Sequence, residues 1–231
     1  MSANADMRVD GWGSSIMKFT LTYDGSLPAS GNSSKGAAKW AIRHHFHPQL
    51  VDLWANHPAL ASVPTEFPLG GAVFIAAHHM YPGEVKEPWV PRIVPAGEIT
   101  KGSLDLAAPI DKHGRLFKPL VRETFALQCG LKVLMLRQEQ PGRVYQGGDL
   151  DGRVKTLLDA LAMPQHKEQV DGDPKPPDLI HCLLEDDSLV SGLNVETERL
   201  WGGEQPRDYV KAIIEVDVRV RFGTVYNQSF R

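Results

Sequence analysis

Near the end of the sequence, Ile214, Val216, Val218, Val220 and Phe222 alternate with Glu215, Asp217, Arg219 and Arg221. Side chains along a strand point to opposite faces in turn, so this pattern predicts a strand with one face on a core and the other in water. Such a strand is unstable alone, and the chain must build a sheet and cover one side of it. Phe19 to Tyr23 alternates in the same way and ends at an Asp24–Gly25 turn. The apolar runs 131–137, 179–184 and 189–196 predict further strands, the first of them buried. Between them, Trp40, Ile42, Phe46, Leu50, Leu53 and Trp54 recur at helical spacing, with Pro48 expected to break or restart that helix. The expected fold class is α/β (α+β), a mixed β-sheet packed with helices.

At 231 residues the chain can bury one full core. Residues 17–231 are expected to form a single domain. Residues 1–16 read as a flexible leader of small and polar residues, without the basic start and apolar stretch of a signal peptide. Residues 64–119 are punctuated by proline and glycine around one apolar run, 72–77, and read as an irregular or small β-rich insertion. No apolar run is long enough to cross a membrane. Cys129 and Cys182 stand in apolar company without metal-ligand spacing, which predicts reduced, buried thiols and a cytoplasmic setting. The net charge of −3 argues against a broadly basic surface. Affinity for phosphate would have to come from locally concentrated cations, or from metal and shape.

The segment 147–164, GGDLDGRVKTLLDALAMP, carries the most chemistry. Val154, Leu157, Leu158 and Leu161 form one helical apolar stripe, while Asp151, Lys155 and Asp159 run along another face. Asp149 and Asp151 fall at the helix start, where the helix dipole favours carboxylates. A cap needs one acid, and here two stand together with a lysine one turn on. A second acidic group, Glu185–Asp186–Asp187, ends an apolar strand. A strand end beside a helix start could place three carboxylates around a hard cation such as magnesium. Helix capping and solvated turns explain the same residues, and the pattern alone leaves both readings open.

The run D-L-D-x-x-x-K-x-x-x-D-A-L (Asp149, Leu150, Asp151, Lys155, Asp159, Ala160, Leu161), followed by an apolar strand and Asp186, Asp187 and Val190, resembles the signature of the RusA Holliday-junction resolvases. The resemblance is specific over 148–190. It is looser at Phe19 to Asn32, which is similar to the family's opening strand and its Pro-x-x-x-Asn turn, here Pro28 to Asn32. It implies a homodimeric, magnesium-dependent endonuclease, with manganese able to substitute, that cuts four-way DNA junctions in recombination and repair. The family occurs largely in bacteria, their prophages and mobile elements. Carried over, Asp149, Asp151 and Asp187 would be the catalytic acids that hold the metal, and Lys155 the essential basic residue, whose positive charge neutralises the phosphate in the transition state. Asp159 and Asp186 support them. Arg143, Arg153, Lys132 and Arg137, flanking the acids in sequence, are the expected DNA contacts.

The same residues admit other readings. One is a binding protein of the same fold that holds branched DNA with little or no cutting. Another is a magnesium-dependent hydrolase of small phosphates. His44, His45 and His47, and the pair His78–His79, invite zinc but lack a Cys/His framework, so a helix with nucleic-acid contacts at Arg43 or an ordinary exposed helix fits them better.

Overall fold

The computed structural model describes residues 15–29, 35–61, 66–68, 103–105, 108–138, 150–170 and 177–221. Asp149, Arg143, Asn32, the apolar run 72–77, His78, His79 and Phe222 lie outside them. Along the chain run β1 (Ser15–Ser26), α1 (Lys35–Asn56), α2 (Pro58–Ala61), β2 (Glu66–Pro68), β3 (Ser103–Asp105), β4 (Ile110–Lys112) and β5 (Arg115–Val121). There follow β6 (Leu127–Arg137), α3 (Leu150–Leu161), β7 (Leu179–Leu184), β8 (Val190–Arg199) and β9 (Tyr209–Val220).

A four-stranded sheet in the order β1-β9-β6-β8 is mixed: β9 pairs antiparallel with β1 and β6, and β8 lies parallel to β6. A second mixed sheet, β4-β5-β7, has β5 parallel to β7. Strands β2 and β3 form a separate antiparallel ribbon. Parallel partners need a crossover, and α3 with β7 supplies the one between β6 and β8.

The alternation in β9 holds from Val210 to Val220, with every even-numbered residue buried. Met17, Leu21 and Tyr23 of β1 and Cys129, Leu131, Val133 and Met135 of β6 share that face. Against it pack Ile42, Phe46 and Leu50 of α1 and Leu157, Ala160 and Leu161 of α3. A second apolar cluster joins Trp40, Met163 and Val170 to Phe117, Ile180 and Cys182 of the smaller sheet. Helix α1 is therefore apolar on two sides. That accounts for its broad, loosely periodic pattern, since a one-sided helix shows a single stripe.

Three expectations change. Helix α1 runs straight through Pro48. The proline ring removes one intrahelical bond, but Phe46 and Leu50 on either side are fully buried, so packing outweighs the local penalty. Strand β6 is not buried on both faces, because Leu134 and Leu136 sit half-exposed on the outer face of the sheet. The segment 110–121 is regular β-structure rather than irregular chain. Strand β5 pairs through Pro119 with Cys182, and Phe117 is fully buried. Pro119 is tolerated because β4 pairs only as far as Phe117, leaving β5 paired on one side at that point.

Helices α1 and α3 are joined by Arg43, which is fully buried. Its Nε and Nη2 donate to the carbonyl of Ala162 at 3.1 and 2.9 Å, and Nη2 also donates to that of Asp159 at 2.9 Å. These carbonyls close the C-terminal turn of α3, where no intrahelical donor remains. Arg43 is thus a helix cap and not a nucleic-acid contact. Replacing it with leucine leaves buried carbonyls without donors and is expected to cost about 3 kcal/mol of stability. A urea unfolding midpoint equal to that of the wild type would contradict this role.

Candidate functional site

The acid stripe expected on α3 is present. Asp151 and Lys155 are exposed and Asp159 is half-buried, all on the helix face turned from the core. Helix α3 begins at Leu150, directly after Asp149. In the first turn, Asp151 Oδ1 accepts from the Gly152 amide at 2.6 Å, as an acid near a positive helix end does. The buried face is rotated from the expected stripe. Gly152, Arg153, Thr156, Leu157, Ala160 and Leu161 are buried, while Val154 and Leu158 only pack at the margin.

Asp159 pairs with Lys39 of α1 at 2.5 Å, not with Lys155. Sequence spacing could not show this, because Lys39 lies 120 residues earlier and reaches Asp159 only through the packing of α1 on α3.

The chain leaves β7 into a single helical turn, Asp187–Leu189, packed against α3 through buried Leu189. Asp186 caps this turn. It accepts from the Ser188 amide at 3.0 Å and from Gln165 Nε2 at 2.9 Å, and the bonds to Ser188 hold its carboxyl below the usual range. Asp187 is exposed, and its carboxyl is pushed up by partial burial and then by the carboxylates of Asp186 and Asp159. Packing therefore brings Asp187 of the second acidic group within electrostatic reach of α3. The meeting point is Asp159, eight residues from Asp151, or roughly 12 Å along the axis at 1.5 Å per residue. Among the described residues no three His, Cys, Asp or Glu side chains come together as a metal-holding group. The donors have the hard-oxygen chemistry magnesium prefers, but the described ones are spread along α3 and do not by themselves fit one centre.

The expected DNA-contacting cations fare differently. Arg153 is 3% exposed; its Nη1 donates to the carbonyls of Leu27 at 2.7 Å and Asp208 at 3.1 Å, and its Nη2 to that of Arg207 at 3.4 Å. Arg137 is also buried, on the core face of β6. Both are corrections: Arg153 is buried because a long apolar stem with a guanidinium tip can cross a core edge and satisfy backbone carbonyls there, and Arg137 because its register in β6 turns it inward. Lys132 is exposed, but on the opposite face of the sheet from α3. There, with Lys18, Glu215, Asp217 and Arg219, it lines a depression of about 650 Å³ floored by Gly130 and Gly192. Asp217 within it accepts from Arg219 at 2.6 Å and lies 3.9 Å from Lys18, so charges on this face pair with one another.

The histidines of α1 diverge. His45 stacks edge-on against Tyr23, with ring centroids 5.0 Å apart, and His44 lies 4.8 Å from the Trp40 ring. His47 Nδ1 accepts from the backbone amide of His181 at 3.0 Å, which fixes a neutral imidazole at the seam between α1 and β7. Cys129 and Cys182 are free and buried, and burial pushes both thiols up to about 12. Among the described residues no helix is long and apolar enough to cross a membrane.

No protein-family model, curated protein or solved structure matches this chain.

Burial, then Lys118 and His47, push the His181 imidazole down to about 4. A histidine whose folded pKa lies below its ordinary 6.5 takes up a proton more readily in the unfolded chain. Its contribution to stability is complete above pH 6.5 and is lost as pH falls from there towards 4. Urea midpoints of the wild type should decline across that window, and His181→Gln, which keeps the backbone amide, should flatten the decline. An equal slope in both proteins would remove His181 as the cause.

Proposed function

We propose that this chain is a magnesium-dependent endonuclease of branched DNA of the kind the RusA resolvases represent, acting as a homodimer on four-way junctions. The observation that carries the reading is the packing of α3 against the Asp187–Leu189 turn. That packing puts the Asp187 carboxyl under the influence of Asp159 of α3 as well as of its neighbour Asp186. Acids held close and exposed favour a divalent cation, which relieves the crowding. In this reading Asp149, Asp151 and Asp187 take magnesium or manganese, which would supply Lewis acidity and an activated water. Lys155, exposed one turn from Asp151, neutralises the phosphate. Lys39 steadies Asp159 beneath them. A two-fold dimer would present the same site to two equivalent strands.

A second reading, a protein that holds branched DNA without cutting it, is favoured by the spread of the described carboxylates along α3. The two separate on a synthetic four-way junction offered with Mg²⁺ or Mn²⁺ beside a linear duplex. Paired nicks in the junction alone are expected, and Asp151→Asn and Asp187→Asn should each slow them on the order of a hundredfold or more, the loss of a metal ligand costing several kcal/mol of transition-state stabilisation. Folded wild type that binds the junction without nicking it in either cation overturns cleavage in favour of the binding protein.

A further inference from the structure

Trp201 is 76% exposed, against 44% for Leu193, 40% for Leu116 and 39% for Val51, the other large apolar residues exposed among those described. An indole left in water on a slack loop means little, but this one is held. The Leu200 amide donates to the Arg137 carbonyl at 2.6 Å, anchoring the residue before it. The Gln138 side chain donates to the Gly203 carbonyl and accepts from the Gln205 amide at 3.1 Å, clamping the residues after it. Gly202 and Gly203 turn the chain at φ of 90° and 59°, values a side-chain-bearing residue adopts with strain, in open space. Arg199 places its guanidinium over the indole, 4.4 Å from the ring centroid. The far leg of the loop is fastened by Arg153, whose guanidinium binds the carbonyls of Arg207 and Asp208. Arg153 stands two residues after Asp151, so the loop that presents Trp201 is tied to the same end of α3 as the first acids.

We propose that Trp201 is a stacking site for an unstacked nucleobase, with Arg199 adding a cation beside it for the adjoining phosphate. Every base offers a π face to an aromatic ring, and bases free to stack outside the duplex occur at branch points and in single strands. A rigidly presented indole beside a guanidinium suits such a base better than it suits the closed stack of a linear duplex. The inference rests on the branched-DNA reading for its natural ligand, but the stacking chemistry is separable from cleavage.

The test is fluorescence anisotropy with labelled four-way junction, single-stranded oligonucleotide and linear duplex, in chelator so that nothing is cut. Wild type, Trp201→Ala and Trp201→Phe are compared, with circular dichroism to confirm folding. Trp201→Ala is expected to weaken junction and single-strand binding roughly tenfold, with Trp201→Phe close to wild type and duplex binding unchanged. Single-strand binding that depends on Trp201, without junction binding, supports the stacking site while overturning the branched-DNA function. Junction binding unchanged in Trp201→Ala overturns the stacking site and leaves that function standing. Wild type that binds none of the three DNAs overturns both. A dimer in sedimentation that Trp201→Ala converts to monomer overturns the stacking site by assigning the indole to contact between copies.

Discussion

The buried guanidinium of Arg43 is the interaction on which the remaining architecture depends. It leaves α1 between the two sheets and closes the last turn of α3 through the carbonyls of Asp159 and Ala162. A buried charge is costly, and the bonds from Nε and Nη2 offset part of that cost; burial lowers this group to about 10, still far above neutrality, so it remains charged. Because Arg43 fixes where α3 ends, it also fixes where Asp159 lies, and with it the surface that Asp187 meets.

The electrostatics of that surface follow from a division of labour between adjacent acids. Asp186 and Asp187 are neighbours with opposite shifts. Asp186 is stabilised as an anion by the amides of the turn it caps, whereas Asp187 has partial burial and two nearby carboxylates against it. Capping of the turn thus accounts for Asp186, while Asp187 is exposed beside it with its carboxyl pushed up. Lys39 offsets part of the charge at Asp159 without reaching the exposed end of α3.

Two arginines that looked like phosphate contacts serve the fold instead. Arg153 joins α3 to the end of β1 and to the leg of the β8–β9 loop, and Arg137 lies within the core face of β6. Proximity in sequence to an acidic motif was a poor guide, because successive residues of a strand face opposite ways and α3 turns half of its residues, Arg153 among them, to the core. The same geometry carries Lys132 to the far face of the sheet, away from α3.

The strands were legible wherever one face alone is buried: β9 and β1 show in their alternation, and α3 in the periodicity of Leu157 and Leu161. The motif Asp151, Lys155 and Asp159 was legible as a helical stripe for the same reason, since period and exposure are local properties. What the sequence could not determine is which distant groups meet. The continuity of α1 through Pro48, the entry of Pro119 into a buried strand, the pairing of Lys39 with Asp159 and the burial of Arg43 and Arg153 each set a local preference against packing energy. Local rules fix how a segment repeats; only the tertiary structure decides which face finds a partner, because desolvation and unsatisfied carbonyls take their values from the neighbours that packing supplies.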